Sequence, residues 1–179
     1  MVEITYFVHG TTTDNLQKLA SGWLDGELSP KGIEQAKALS EVIKDDYFDI
    51  VFCSDLKRAI DSANIDFAKR NINIITDARL RECNYGDYNG KDSKLADYGS
   101  HIFNQFPNGE SLIDVEARMR DFVEFLKQNY SNKKVAIVAH KAPQLALEVI
   151  VNKKTWQEAL MKDWRLTGAW QPGWTYVVE

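Results

Sequence analysis

Apolar and β-branched residues concentrate in two short runs that each stop at a histidine: Tyr6-Phe7-Val8 before His9, and Val135-Ala136-Ile137-Val138-Ala139 before His140. Uninterrupted apolar runs of this length predict strands buried on both faces of a parallel sheet. The first strand is expected over residues 3–8 and its counterpart over 135–139, with further strands over 49–53, 72–76 and 174–178. Helical spacing fills the intervals. Ile33, Ala36, Leu39 and Ile43 follow Ser29 and Pro30, which fit the N-cap and first-turn positions. Leu56, Ala59, Ile60, Ala63 and Phe67 form a second stripe, with Ser54 or Asp55 as the expected cap, and Leu112, Val115, Met119, Phe122, Val123 and Leu126 a third. Pro143 is expected to open the next helix, and Thr155 with Glu158 to form a capping box. Residues 9–28 are a polar stretch too long for a simple connection, which marks them as functional.

Alternation of strands and helices predicts an α/β fold: a three-layer α/β/α sandwich on a mainly parallel sheet. At 179 residues the chain fits one domain spanning 1–179, with a small cap or insertion around 84–110. A net charge of −4 argues against a nonspecific nucleic-acid binder, whose affinity would rest on a basic surface, and no apolar stretch approaches the ~20 residues that span a bilayer. Nucleic acid and membrane are therefore not expected as partners. Two cysteines, Cys53 and Cys83, are too few for a disulfide scaffold, and no signal-peptide pattern precedes the first strand, so a reducing cytoplasm is expected. Nothing in the pattern sets the oligomeric state.

Ligands of open α/β sheets bind at the carboxyl ends of the strands. If the strands are parallel, His9, Arg58, Glu82 and His140 gather at that one edge. Arg58 falls in the first turn of a helix, where a cation opposes the macrodipole, so a bound anion such as phosphate explains it better than helix stability does. A solvated pairing with Asp55 or Asp61 is the alternative for a lone arginine.

The chain resembles the histidine phosphatase superfamily, which includes the cofactor-dependent phosphoglycerate mutases. The resemblance runs in order through His9-Gly10-Thr11-Thr12-Thr13-Asp14-Asn15, Gly22-Trp23-Leu24-Asp25, Leu28-Ser29-Pro30-Lys31-Gly32 with Gln35-Ala36, and Ser54-Asp55-Leu56-Lys57-Arg58-Ala59. It continues through Leu80-Arg81-Glu82 with Gly86 and Gly90, Pro107-Asn108-Gly109-Glu110-Ser111, and His140. It implies a phosphoglycerate mutase-like fold in which His9 is the nucleophile that becomes phosphorylated, Glu82 the proton donor, and Arg58 and His140 the holders of the phosphoryl group. Gly10, Asn15, Ser21, Gly22 and Tyr85 are implied on the substrate side, with the loop amides near Gly10 among the donors. Such chemistry needs a neutral imidazole and preorganised donors around three gathering negative oxygens, and it calls for no metal and no cofactor.

Two departures from the family pattern stand out. The family has Arg-His-Gly where this chain has Val8-His9-Gly10, so one of two arginines expected on the phosphate is absent. By analogy with loss of one oxyanion donor, that lowers the rate about 10²- to 10³-fold. Lys141 stands where the family usually has glycine, and either supplies positive charge to the pocket or is a solvated lysine on a loop. Mutases carry additional basic residues, including an arginine pair, in the segment after the acid motif; here residues 91–107 hold Lys91 and Lys94 and no arginine. The expected function is therefore hydrolysis of a small phosphorylated metabolite through a phosphohistidine. A mutase-type phosphotransferase, or an impaired homologue that only binds a phosphorylated ligand, is the alternative.

Other chemistries fit less well. Four residues, none of them glycine, separate Cys53 from Arg58, against five in the glycine-bearing loop of cysteine phosphatases. Close zinc-ligand pairs, a G-x-S-x-G elbow, a Walker A loop and a G-x-G-x-x-G fingerprint are all missing. His101 reads as surface or cap packing, and Trp156, Trp164, Trp170 and Trp174 as a C-terminal hydrophobic wrap.

Overall fold

A computed structural model describes residues 1–167 and 173–179. Five strands form the central sheet: β1 (Val2–Val8), β3 (Ile50–Cys53), β4 (Ile74–Thr76), β6 (Lys134–Ala139) and β7 (Trp174–Val178), in the order β4-β3-β6-β1-β7. The first four are mutually parallel, and β7 runs antiparallel along the outer side of β1. The helices are α1 (Thr13–Leu16), α2 (Pro30–Val42), α3 (Lys57–Asp66), α4 (Leu112–Asn129), α5 (Lys141–Ile150) and α6 (Trp156–Met161), and a two-stranded ribbon joins β2 (Leu19–Ala20) to β5 (Lys91–Asp92).

Strand alternation distributes the core between two layers. Ile4 and Tyr6 of β1, Ile50 and Phe52 of β3, and Val135, Ile137 and Ala139 of β6 face α4 and α5, in one cluster with Leu112, Met119, Phe122 and Leu145. Their neighbours Phe7, Val51, Cys53, Ala136 and Val138 face α2 and α3, in a second cluster with Leu39, Ile43, Ala63 and Phe67. This is the three-layer α/β/α arrangement, with both sheet faces covered. Segment 84–110 adds Tyr85, Tyr98, Ile102 and Phe106 to the first cluster. No helix among the described residues is long and apolar enough to cross a membrane.

Local sequence signals set most helix starts. The Ser29 hydroxyl accepts from the Gly32 amide with Pro30 at the first turn, and Ser111 and Thr155 form capping boxes with Asp114 and Glu158. Two expectations needed correction. Neither Ser54 nor Asp55 is the N-cap of α3; Leu56 holds that position without a side-chain bond, because Asp55 is drawn into an ion pair with Arg81 at 2.6 Å. Helix α5 begins at Lys141, two residues before Pro143, because the Glu82 carboxylate, distant in sequence, accepts from the Lys141 and Ala142 amides. The polar stretch 9–28 is also more ordered than a loop, containing α1, β2 and a bridge between Thr12 and Leu28.

The turn after β1 lies against the first turn of α2. A Cβ on Gly32 would fall 2.1 Å from Thr11 O, and one on Gly10 would fall 2.4 Å from Gly32 O. Replacing an unconstrained helical glycine by alanine gains roughly 0.5–1 kcal/mol. Gly32→Ala should do the opposite, lowering stability by about 1–3 kcal/mol through overpacking, as read from urea denaturation midpoints.

Candidate active site

Register explains how two histidines 131 positions apart meet. Strands β1 and β6 pair in parallel with Val8 opposite Ala139, and the ladder runs one step further through His9 N–H to Ala139 O at 3.0 Å. The next residue of each strand is a histidine, and the two rings lie 5.0 Å apart between centroids at 62°. Tyr6 fixes the second of them: its hydroxyl donates to His140 O at 2.8 Å and accepts from His140 N at 3.0 Å.

The two imidazoles differ in surroundings. Nδ1 of His9 lies 2.7 Å from Gly10 O. A carbonyl only accepts, so Nδ1 carries the proton and Nε2 keeps a free lone pair. His9 is half-buried beside the cleft, whereas His140 is fully buried and both its ring nitrogens lack a hydrogen-bond partner among the described residues. Burial, followed by the Arg58 charge, pushes the His9 imidazole down to about 3, with Arg165 adding to the shift and the bond to Gly10 O opposing it. Burial also holds His140 well below the usual histidine range, with Arg58 and His9 as the next contributors.

A cleft of about 520 Å³ opens at this edge of the sheet. Nine of the ten residues expected from sequence line it: His9, Gly10, Asn15, Ser21, Gly22, Arg58, Glu82, Tyr85 and Lys141. The tenth, His140, does not reach its wall and lies behind His9. Arg58 is buried and pairs with neither Asp55 nor Asp61, which are taken by Arg81 and Lys57. Its two terminal nitrogens donate to Leu24 O and Gly22 O, both at 2.8 Å, anchoring the loop that follows β2. Gly22 is required there, since it adopts φ +54° and a Cβ would meet the Asn89 side chain at 1.8 Å.

Glu82 is held on four sides. Oε1 accepts from Cys83 N at 2.8 Å, Tyr98 OH at 2.9 Å and Ala142 N at 3.1 Å, and Oε2 from Lys141 N at 3.2 Å. Its own carbonyl accepts from the Trp23 indole at 2.7 Å and from Arg118 Nη2 at 2.9 Å. Tyr98 spends its proton on Glu82, so the 2.9 Å contact between the two tyrosine hydroxyls has Tyr85 donating to Tyr98.

Some expected donors are already engaged. The amides of Gly10, Thr11 and Thr12 donate to Ser62 Oγ, Gln35 Oε1 and Asn15 Oδ1, so the loop amides near Gly10 are spent on the scaffold and do not offer themselves to an anion. Ser21 Oγ donates to Asp14 at 2.7 Å. Lys141 Nζ lies 3.2 Å from Asp163 Oδ2 and 4.9 Å above the Tyr98 ring. Both cysteines are free and buried, and burial pushes the Cys53 thiol up to about 12, which removes the thiolate a cysteine phosphatase would need.

Sequence reasoning missed several cleft residues. Trp164 and Trp174 line the cleft, so this part of the tryptophan cluster is more than a wrap; Trp156 is buried in the core, and Trp170 lies outside the described residues. Arg165 lines the same wall, and a charged residue among tryptophans was the signal that could have found it. Asp66 also borders the cleft, buried, pushed up to about 8 by desolvation. His101 stacks on Phe106 at 3.7 Å, away from the cleft wall.

Residues 6–166 match the pattern of the histidine phosphatase superfamily (branch 1). A 2,3-bisphosphoglycerate-dependent phosphoglycerate mutase of Allorhizobium ampelinum is 33% identical over 169 residues, covering 85% of this chain and 80% of its own. The uncharacterized phosphatase PhoE of Bacillus subtilis is 34% identical over 149 residues, covering 82% and 76%. Among solved structures, the mycobacterial glucosyl-3-phosphoglycerate phosphatase aligns with a TM-score of 0.77 at 29% identity, covering 88% of this chain and 85% of that one.

Both imidazoles bind protons more weakly folded than unfolded, where a histidine titrates near 6.5. The unfolded chain therefore takes up more protons below pH 6.5, and stability falls with acid, by about 1.4 kcal/mol per pH unit for each ring. Two observations should follow: NMR titration of His9 and His140 showing neutral rings at pH 5, and a melting temperature that drops from pH 6.5 towards pH 4 less steeply in His140→Asn than in the parent.

Proposed function

The chain belongs to the histidine phosphatase superfamily, and from that premise we propose that it hydrolyses a small phosphomonoester through a phosphohistidine at His9. One observation carries the reading: Nδ1–H of His9 is committed to Gly10 O, which leaves the Nε2 lone pair free in a cleft bordered by the buried Arg58 guanidinium. Nε2 attacks phosphorus; a P–N bond forms as the P–O bond to the leaving alkoxide breaks. Glu82 gives that oxygen a proton and then takes one from the water that attacks the phosphohistidine, returning His9 and releasing phosphate. Oε2, with a single protein donor, is the freer carboxyl oxygen for both transfers. His140 backs the nucleophile, with ring centres 5.0 Å apart, and its buried nitrogens, without a hydrogen-bond partner among the described residues, support a role next to His9 in the phosphohistidine step. Lys141 at the cleft wall adds positive charge towards the substrate.

Hydrolysis is favoured over mutase transfer by the cap. Residues 91–107 contribute only Lys91 and Lys94, both exposed, so the segment offers little to grip a second charged group during intramolecular transfer. The same reading carries no resident metal, a free thiol role for neither cysteine, and a cytoplasmic setting.

The test is turnover of small phosphomonoesters in the presence of a chelator. Release of phosphate unaffected by chelator, with an acid-labile phosphate trapped on His9 by mass spectrometry, is expected; interconversion of phosphoglycerates faster than phosphate release reassigns the protein as a mutase. His9→Ala should lower kcat by at least about 10³-fold, and Glu82→Gln by about 10²- to 10⁴-fold. Tight phosphate-ester binding with neither adduct nor turnover leaves only a binding protein.

A further inference from the structure

Position 8 is apolar, so the strand that delivers His9 brings no cation with it. A segment earlier in the sequence than the neighbouring antiparallel strand does. Trp174 of β7 pairs with Tyr6 of β1, so β7 begins beside the carboxyl end of β1, where His9 sits. Ahead of it, the 3-10 turn Trp164–Thr167 carries Arg165 onto the cleft wall.

The Arg165 guanidinium is held in a built position. Nη1 donates to Asp163 Oδ1 at 2.8 Å and to Gln144 Oε1 at 3.3 Å, and the Asp163 side chain is 2% exposed. The guanidinium carbon lies 5.2 Å from the Trp164 ring centre and 5.3 Å from that of Trp174. Trp174 packs edge-on against Tyr6, the residue whose hydroxyl clamps His140. Nη2, by contrast, is buried and has no hydrogen-bond partner among the described residues. A guanidinium presents a fork of donors, and here one half is tied down while the other is left over.

We infer that Arg165 grips the phosphoryl group through Nη2, taking over the work of the arginine that the family carries before its nucleophile and that this chain lacks at Val8. The inference rests on the phosphatase reading of the cleft. Three further observations support it. Arg58 commits one donor of each terminal nitrogen to Gly22 O and Leu24 O, so part of its fork serves the loop and a second guanidinium adds donors to the cleft. The Arg165 charge reaches His9, where it depresses proton affinity alongside that of Arg58. Lys141, the other cation on this wall, is paired with the second oxygen of the same Asp163 and seated over Tyr98, and a lysine lacks the planar fork that matches phosphate oxygens.

The test combines two readouts on the full chain: inorganic phosphate binding by calorimetry, and turnover of 4-nitrophenyl phosphate, which carries no second anionic group. Arg165→Gln should weaken phosphate binding and lower kcat by about 10²- to 10³-fold in protein that stays folded at the assay temperature. Millimolar guanidinium ion should restore part of the activity of Arg165→Ala, and Arg165→Lys should recover binding better than kcat. Phosphate bound as tightly by Arg165→Gln as by the parent overturns the inference. So does a loss confined to substrates with a second anionic group, which would make Arg165 a distal contact, or a loss that follows a lowered melting temperature and resists guanidinium. Phosphate binding that depends on Arg165 without any turnover sinks the hydrolase reading and leaves the grip standing.

Discussion

Parallel pairing of β1 with β6, in the register that sets Val8 opposite Ala139, is the constraint on which the site depends. A one-residue slip would reverse the faces of β1, carrying Tyr6 away from the α4–α5 layer and exchanging it with Phe7. Burial on both sides makes that slip costly, so the positions of His9 and His140 are fixed by hydrophobic packing several residues away. The Tyr6 hydroxyl, bonded in both directions to the His140 backbone, ties the register directly to the second imidazole.

Around that pair, polar groups are shared between scaffold and chemistry. The Glu82 carboxylate satisfies orphan amides at the start of α5, while Arg118 from α4 braces the backbone beneath it through Arg79 O, Arg81 O and Glu82 O. Arg58 pins the loop of Gly22 and Leu24 while bordering the cleft. Such double use keeps charged side chains in one rotamer before anything binds, which is the physical content of a preorganised site. It also removes donors from circulation, as with the amides of Gly10, Thr11 and Thr12.

Positive charge around the cleft is correspondingly redistributed. The strand carrying His9 ends in valine, and the cations on the far wall, Lys141 and Arg165, come from the start of α5 and from the 3-10 turn Trp164–Thr167, joined by one buried carboxylate at Asp163. The tryptophans around Arg165 combine core packing with cleft lining, since an indole presents both an apolar face and a surface for a guanidinium.

The sequence by itself determined the layered α/β fold, the strand ends that carry His9 and His140, and the helix starts at Ser29 and Thr155, because apolar periodicity and capping act over a few neighbouring residues. Resemblance to a known family, together with the order of elements, also picked out Arg58, Glu82 and six further residues that line the cleft. Tertiary structure alone decided that Glu82 caps α5 and moves its start to Lys141, that Asp55 goes to Arg81, that His140 sits behind its partner, and that Tyr98, Asp66, Asp163 and Arg165 border or brace the cleft. Each of those outcomes is a contact between residues far apart in the chain, where burial sets the strength of a charge or hydrogen bond, and no local pattern encodes which distant group will arrive.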